Sequence, residues 1–114
     1  MPYVSISVSK TLDDSQKDAL KSGMGQVITM IPGKTEEVTM VHIEDGCALW
    51  KGGSALESGA FVEVRLYGKA PMADKQRFTE AAFSMLENKA GISPEETYLN
   101  ILEMDSWGFG GRLK

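Results

Sequence analysis

The residue best suited to chemistry in this sequence is Pro2, which follows the initiator methionine. Initiator methionine is normally removed when a small residue or proline follows, so we expect Pro2 to carry a free secondary amine. An α-amino group ordinarily has a pKa of about 7.7–8.0, and burial among apolar side chains lowers that pKa by disfavouring the cation. A base that titrates near the working pH is well placed for general acid–base catalysis. Because His42 is the only histidine, no other side chain offers such a base as readily.

The composition of the chain argues against several classes of binding partner. The 114 residues suit a single domain over residues 1–114. A net charge of −4, with scattered lysines and arginines, argues against nucleic acid or an anionic membrane as the main partner. The single Cys47 allows no internal disulfide and no zinc-ligand spacing, and we expect no metal and no cofactor. The N-terminal segment lacks the pattern of a secretory signal, so we expect a cytoplasmic protein, with signal-independent release as an open alternative.

The chain contains one internal repeat, which indicates the elements that must position Pro2. An alternating apolar segment near residues 4–8 returns near residues 62–66, an offset of 58. Such alternation predicts a strand with one buried face. An amphipathic helical stripe follows each segment and matches in four of five positions at the same offset. The stripe consists of Leu20, Met24, Val27, Ile28 and Ile31 in the first half and of Phe78, Ala82, Met85, Leu86 and Lys89 in the second.

Local signals predict where the two helices begin and end. The aspartates at 13–14 can cap the first helix at its N-terminus. Gly33 and Gly91, again 58 apart, stand where helices of this length should stop. Gly23 and Gly25 each weaken the first helix by about 1 kcal/mol relative to alanine. We therefore expect that helix to depend on tertiary support.

A third block completes each half of the repeat. The segment GKTEEVTMVHIE matches GISPEETYLNILE after one insertion, which predicts strands over about Val38–Glu44 and Thr97–Met104. Each half then has the order strand, helix, strand, with units of about residues 2–44 and 60–104 and parallel strands within a unit. Two such units predict an α/β (α+β) fold, a four-stranded mixed sheet with pseudo-two-fold symmetry and two helices on one face. The link at 45–59 is predicted to be a loop with a short strand near residues 48–50.

The composition of the sheet face opposite the helices indicates whether the chain forms an oligomer. It carries Tyr3, Ser5, Ser7, Phe61, Glu63, Arg65 and Tyr67, and is neither fully polar nor fully apolar. Two-layer domains that expose such a face often pack it against copies of themselves, so we predict a closed oligomer. His42 aligns with Ile101 in the shifted repeat and is therefore predicted to face the core as a hydrogen-bonded structural histidine.

The ordered set of short motifs resembles the tautomerase superfamily, in particular the group of macrophage migration inhibitory factor, D-dopachrome tautomerase and bacterial phenylpyruvate tautomerases. The resemblance spans nearly the whole chain and implies a homotrimer, assembled as a trimeric barrel, with three active sites at subunit interfaces. Its pieces are MetPro at the start, GlyLys at 33–34, GlyGlySer at 52–54, TyrGlyLys at 67–69, IleSerPro at 92–94, TyrLeuAsn at 98–100 and TrpGly at 107–108.

The resemblance also implies a reaction and a set of site residues. Pro2 would act as the base that interconverts the keto and enol forms of a 2-keto acid such as phenylpyruvate. Lys34 would hold the substrate carboxylate or carbonyl oxygen, and Trp107 would supply a flat apolar wall. Tyr98 and Asn100 lie two apart on a strand and share one face. By resemblance, both reach into the site of a neighbouring subunit.

The sequence departs from this pattern in ways that keep two alternatives open. Tyr67 stands where an aliphatic residue is expected, and beside Pro2 it would narrow or polarise the substrate pocket. One alternative is a proline-dependent dehalogenase or decarboxylase, for which Arg65 is the one central candidate for an additional cation. The other is a cytokine-like binding protein with vestigial activity. Cys47 lacks a second cysteine, so no thiol chemistry is expected.

Overall fold

Eight strands and two helices make up the computed structural model, which describes residues 1–114. The helices are α1 (Asp14–Val27) and α2 (Met72–Ala90). Three single 3₁₀ turns lie at Ile28–Met30, Glu36–Val38 and Pro94–Glu96. The strands are β1 (Pro2–Val8), β2 (Met40–Glu44), β3 (Trp50–Lys51), β4 (Ser54–Ala55), β5 (Ala60–Tyr67), β6 (Thr97–Met104), β7 (Gly108–Phe109) and β8 (Arg112–Leu113).

The four long strands form one mixed sheet in the order β2-β1-β5-β6. Each outer strand is parallel to its inner neighbour, whereas β1 and β5 are antiparallel. Ser5 lies opposite Glu63, the residue 58 positions later, so a pseudo-two-fold axis passes between them. Tandem β-α-β units, a four-stranded mixed sheet and two helices on one face are thereby confirmed as the fold.

A single apolar core fills the space between the sheet and the helices. Burial alternates along β1 and β5, as the period of a strand with one covered face requires. Val4 and Ile6 are fully buried, and so are Leu20 on α1 and Phe78 on α2. Every second residue of the two central strands is thereby fixed on the helix side, which leaves the intervening residues on the open face.

The two glycines in α1 allow close packing at a cost in helix propensity. A Cβ atom added at Gly23 would lie 2.6 Å from Cγ of Met85 on α2. A Cβ atom at Gly25 would overlap the side chain of Glu36. The tertiary support expected for this helix therefore comes from neighbours that approach its backbone directly.

The helix-capping signals are confirmed at the start of α1 and at the end of α2. Asp13 accepts a hydrogen bond from the backbone N–H of Gln16 at 2.7 Å, and the Gln16 side chain accepts one from the Asp13 N–H at 3.1 Å. This reciprocal pair is a capping box. Gly91 ends α2 with a φ of 63°, in the left-handed region that favours glycine.

The end of α1 differs from the prediction. The helix ends at Val27, six residues before Gly33, and one 3₁₀ turn follows it. Ile31 is already extended, with ψ of 120°, because the residue before a proline is sterically excluded from the helical region. Gly33 instead supplies a positive φ of 79° in the turn that leads towards β2.

The repeat keeps an offset of 58 through its third block, and the predicted insertion is wrong. Val4 pairs with Val41 in β2, and Val62 pairs with Leu99 in β6, so equivalent pairs are 58 residues apart. The Glu36–Val38 turn precedes β2, which therefore begins at Met40 and is shorter than predicted.

This corrected register moves His42 to the other face of the sheet. His42 corresponds to Asn100, not to Ile101, and its side chain is exposed on the open face. Its Nδ1 atom lies 3.4 Å from the Tyr3 hydroxyl and 3.5 Å from the Ser5 hydroxyl. The prediction of a core-facing histidine is wrong because a shift of one residue reverses the face of every side chain in a strand.

Two small hairpins extend beyond the sheet, and both turn on a Gly-Gly pair. The β3–β4 turn is Gly52–Gly53, with φ of 60° and 80°, and the β7–β8 turn is Gly110–Gly111, with φ of 62° and 82°. Two-residue turns with positive φ at both positions match the twist of the flanking strands. The short strand in the link thus lies at Trp50–Lys51 and is paired, whereas the sequence predicted it near residues 48–50.

Neither helix combines the length and apolar character required to cross a bilayer.

Candidate active site

A groove of about 800 Å³ lies beside the start of β1. The segment before β2 and the β7–β8 hairpin supply its other walls. Its apolar lining includes Pro2, Val38, Met40, Trp107 and Phe109. The structure therefore brings together two of the predicted site residues, Pro2 and Trp107.

Pro2 occupies a buried position at the first residue of β1, opposite Leu66 in the antiparallel ladder. Met1 precedes it, and the Met1 carbonyl accepts a hydrogen bond from the Tyr67 N–H at 3.4 Å. Burial lowers the pKa of the Met1 amino group below its ordinary value, with further contributions from Lys34 and from the charge of Lys114. The amino end of the chain therefore lies in surroundings that favour a neutral amine.

Lys34 lies beside that amino group, although it does not line the groove itself. Its ammonium donates a hydrogen bond to the Tyr67 carbonyl at 3.1 Å, and its side chain is half-buried. Tyr67 is the last residue of β5 and lies next to the N-terminal residue through its backbone. Lys34, Tyr67 and the amino end thus form one connected group at one end of the sheet.

An ion pair holds the chain segment that follows Tyr67. Glu103 on β6 accepts a hydrogen bond from the Ala70 N–H at 2.7 Å, and its other oxygen lies 3.1 Å from the Lys75 ammonium. The Ala70 N–H, followed by Lys75, lowers the pKa of the Glu103 carboxyl. Glu103 therefore fixes the connection between β5 and α2, directly after the carbonyl that holds Lys34.

Replacement of this carboxylate should produce a stability difference that depends on pH. Because folding lowers the pKa of Glu103, its ionised form stabilises the fold fully above the unfolded pKa of about 4.3 and loses that effect as pH falls through the folded pKa. Urea denaturation should show Glu103→Gln less stable than wild type at pH 7, with the difference shrinking below about pH 4. Glu87→Gln, exposed on α2 and in no ion pair, is the matched control. A stability difference that stays constant down to pH 3 would contradict this role of Glu103.

Tyr98 and Asn100 lie far from Pro2 within the chain. Tyr98 pairs with Phe61, which faces Ser7 at the opposite end of β1 from Pro2. Two strand spacings across and five residues along place their backbones roughly 20 Å apart. Tyr98 is 58% exposed on the open face, with the Lys51 ammonium 4.9 Å from its ring centroid. One copy of the chain does not bring Tyr98 and Pro2 into one site.

Arg65 does not line the groove itself, although it contacts Tyr3, which does. Its guanidinium forms an ion pair with Glu63 at 3.3 Å and stacks over the Tyr3 ring at 5.9 Å. These contacts lie on the open face of β1 and β5. The structure groups no three His, Cys, Asp or Glu side chains in a way that could hold a metal ion.

Sequence reasoning missed part of the groove lining. Val38, Met40, Glu37 and Lys114 line it, and none was predicted to do so. Lys114 reaches the groove through the β7–β8 hairpin, which the Gly110–Gly111 pair signals in the sequence. Val38 and Met40 carried no such signal, because their places depend on where β2 begins.

The fold and this site define a class of protein, tandem β-α-β chains with a proline at the first strand and a lysine beside it. The chain belongs to the macrophage migration inhibitory factor (MIF) family, whose sequence profile matches residues 1–112.

Solved structures show the same fold at low sequence identity. Leishmania major MIF2 superposes with a TM-score of 0.89 at 23% identity, covering 100% of this chain and 97% of that one. N1, a member of the cis-3-chloroacrylic acid dehalogenase family, has a TM-score of 0.84 at 16% identity, covering 97% of this chain and 82% of that one. A fused 4-OT described as an asymmetric trimer has a TM-score of 0.83 at 16% identity, covering 96% of this chain and 94% of that one. At these identities the likeness shows the fold, and the chemistry must be argued from the site.

Proposed function

We propose that this protein is a tautomerase that interconverts the keto and enol forms of a 2-keto acid, with the Pro2 amine as the proton carrier. The observation that carries the proposal is the buried position of Pro2 at the edge of an apolar groove, next to a lysine that lies beside the amino end. Removal of Met1 would place the free amine at this buried residue.

The reaction needs one base that works in both directions. In the ketonising direction, the Pro2 nitrogen takes the proton of the enol hydroxyl and returns it to C3, while the C2=C3 electron pair forms the new C–H bond. In the enolising direction, it removes the C3 proton and returns it to the carbonyl oxygen. A neutral amine near its pKa suits both steps. This proton transfer requires no metal and no cofactor.

The charge that develops on oxygen during the reaction needs a nearby cation. The Lys34 ammonium, held by the Tyr67 carbonyl at 3.1 Å, is the cation beside the amino end. Its charge would stabilise the enolate oxygen or the substrate carboxylate, and would also keep the amine neutral. Trp107 and Phe109 give the groove an aromatic wall that suits an apolar substrate tail such as the phenyl ring of phenylpyruvate.

We further propose that the active protein is a homotrimer. The open sheet face and its edges expose large apolar side chains, with Met40 68%, Tyr98 58%, Leu102 43% and Met104 38% exposed. Packing against copies of the chain would bury them. It would also bring Tyr98 and Asn100 to the groove of a neighbouring subunit. The free Cys47 suits a reducing compartment, so we propose a cytoplasmic protein.

The proposal is tested on the native protein by mass spectrometry, NMR and activity together. We expect an intact mass that lacks Met1, ketonisation of phenylenolpyruvate, and a ¹⁵N-detected titration of the Pro2 amine below the ordinary value of about 7.7–8.0. A retained Met1 would lock the Pro2 nitrogen in an amide bond and refute the proposal. Halide release from 3-chloroacrylate without ketonisation would establish the dehalogenase alternative instead. Receptor binding without any turnover would favour the cytokine-like alternative.

A further inference from the structure

The β3–β4 hairpin is tied to the segment that leads into β6. The Lys51 ammonium, on β3, donates a hydrogen bond to the Glu95 carbonyl at 2.8 Å. Just after the hairpin, the Glu57 N–H donates a hydrogen bond to the Glu96 carboxylate at 3.1 Å. Both acceptors belong to the 3₁₀ turn that immediately precedes β6. The hairpin is therefore fixed against the turn from which β6 begins.

The Lys51 ammonium also lies over the ring of Tyr98, 4.9 Å from the ring centroid. A cation within about 6 Å of a ring centroid is attracted by the negative face of the ring. Lys51 takes part in none of the five ion pairs of the structure, so no carboxylate competes at ion-pair distance for its charge. The two contacts of the ammonium are the Glu95 carbonyl and the Tyr98 ring.

Tyr98 is thus held by its own chain but remains available to another molecule. The residue is 58% exposed on the open face of the sheet. An exposed side chain that is ordered only on binding loses rotamer freedom at that moment, which weakens binding. The Lys51 ammonium, held by the Glu95 carbonyl, restricts the Tyr98 ring beforehand. This contact therefore preorganises the residue that we propose a neighbouring subunit uses.

We propose that Lys51 is a positioning residue, which holds the Tyr98 ring in the orientation that the groove of a neighbouring subunit requires. This inference rests on the proposed homotrimeric tautomerase. Lys51 acts through Tyr98 on the binding of the aromatic end of the substrate, and the proton transfer at Pro2 is unchanged.

Ligand binding measures whether Lys51 acts through Tyr98. Calorimetric titration with phenylacetate should show Lys51→Met binding roughly two- to five-fold more weakly than wild type, the range of an exposed cation–π contact. Lys51→Arg should bind as wild type does, because a guanidinium also stacks on an aromatic face. Introduced into Tyr98→Ala, Lys51→Met should cause no further loss, since the ring through which it acts is absent. Lys89→Met, which removes the same charge from an exposed position on α2, is the control and should leave the affinity unchanged.

The contact itself has an NMR signature that requires neither ligand nor turnover. The ε-methylene protons of Lys51, shielded by the ring current of Tyr98, should resonate upfield of those of exposed lysines and return to the ordinary shift in Tyr98→Ala. In the ketonisation of phenylenolpyruvate, Lys51→Met should raise KM by the same factor of roughly two to five and leave kcat unchanged. Lys51→Met should sediment as wild type does, so that weaker assembly does not account for the change.

These measurements separate the role of Lys51 from the proposed function. A loss of affinity in Lys51→Met that vanishes in the Tyr98→Ala background, without any ketonisation by wild type, would refute the tautomerase and support the positioning role. Ketonisation by wild type, with equal phenylacetate affinity in wild type and Lys51→Met, would overturn that role and leave the tautomerase standing. An effect of equal size in the Tyr98→Ala background, or in Lys89→Met, would also overturn it, because a general effect of charge would then explain the loss.

Discussion

Pro2→Ala should lower kcat/KM for the ketonisation of phenylenolpyruvate by about 10²-fold or more, within the range that general acid–base catalysis typically contributes. Alanine also permits removal of Met1, so this variant keeps a free amine. It loses the ring that fills the buried first position of β1 opposite Leu66. Water would then reach the amine, favour its cation and allow it to rotate away from the substrate.

A second variant distinguishes the contribution of the Pro2 nitrogen from that of the Pro2 ring. Insertion of one alanine between Met1 and Pro2 keeps the proline side chain but converts its nitrogen into an amide, so it should be at least as inactive as Pro2→Ala. Circular dichroism and sedimentation of both variants should match wild type, because the side chains of the core cluster are unchanged. Wild-type turnover in the insertion variant would show that the Pro2 nitrogen is not the base.

The sequence was sufficient to predict the fold wherever one physical signal dominated. The alternation in β1 and β5 identified the buried face because every inward residue is apolar, whereas most of the outward residues are polar or charged. Gly91 ended α2 because only glycine adopts the required φ of 63° at little cost. In these places local preference and tertiary packing agree, which is what makes a prediction reliable.

The errors occurred where two registers were equally plausible. Val41 and Ile43 face the helices in β2, yet Met40 on the opposite face is also apolar, so hydrophobicity alone did not reveal which set is buried. The match of GKTEEVTMVHIE to GISPEETYLNILE then suggested an insertion that placed His42 on the wrong face. Only the pairing of Val4 with Val41 resolves the register, and that contact is not local in sequence.

The candidate site was predictable where a sequence motif marked a residue and the repeat fixed its position. Pro2, Lys34 and Tyr67 meet because backbone elements of the repeat bring them together, and motifs marked all three. Lys114 reaches the groove through a hairpin whose only local signal is a Gly-Gly pair. Tyr98 was also marked by a motif, but a single chain leaves it roughly 20 Å from Pro2, so its role depends on assembly.

Because Tyr98 and Pro2 are far apart within one chain, we predict that mixing two inactive variants, one altered at each residue, restores catalytic activity. Pro2→Ala lacks the proline ring that holds the basic nitrogen in place, and Tyr98→Ala lacks the residue that we propose a neighbouring subunit contributes. Each variant alone should have little activity. When the two are mixed in equal amounts, unfolded and refolded together, random assembly into trimers gives about a quarter of the sites a native Pro2 and a native Tyr98.

Recovery of activity has no explanation within one chain, because no mixed protein contains a wild-type subunit. Two variants that both alter Pro2, namely Pro2→Ala and the alanine insertion, are the matched control and should not recover on mixing. Native mass spectrometry of the refolded sample should show trimers that contain both variants. Mixed trimers without recovered activity would place Tyr98 outside the site, and a sample that sediments only as monomers would contradict the trimer itself. The experiment therefore tests separately whether the open sheet face forms the subunit interface and whether that interface completes the catalytic groove.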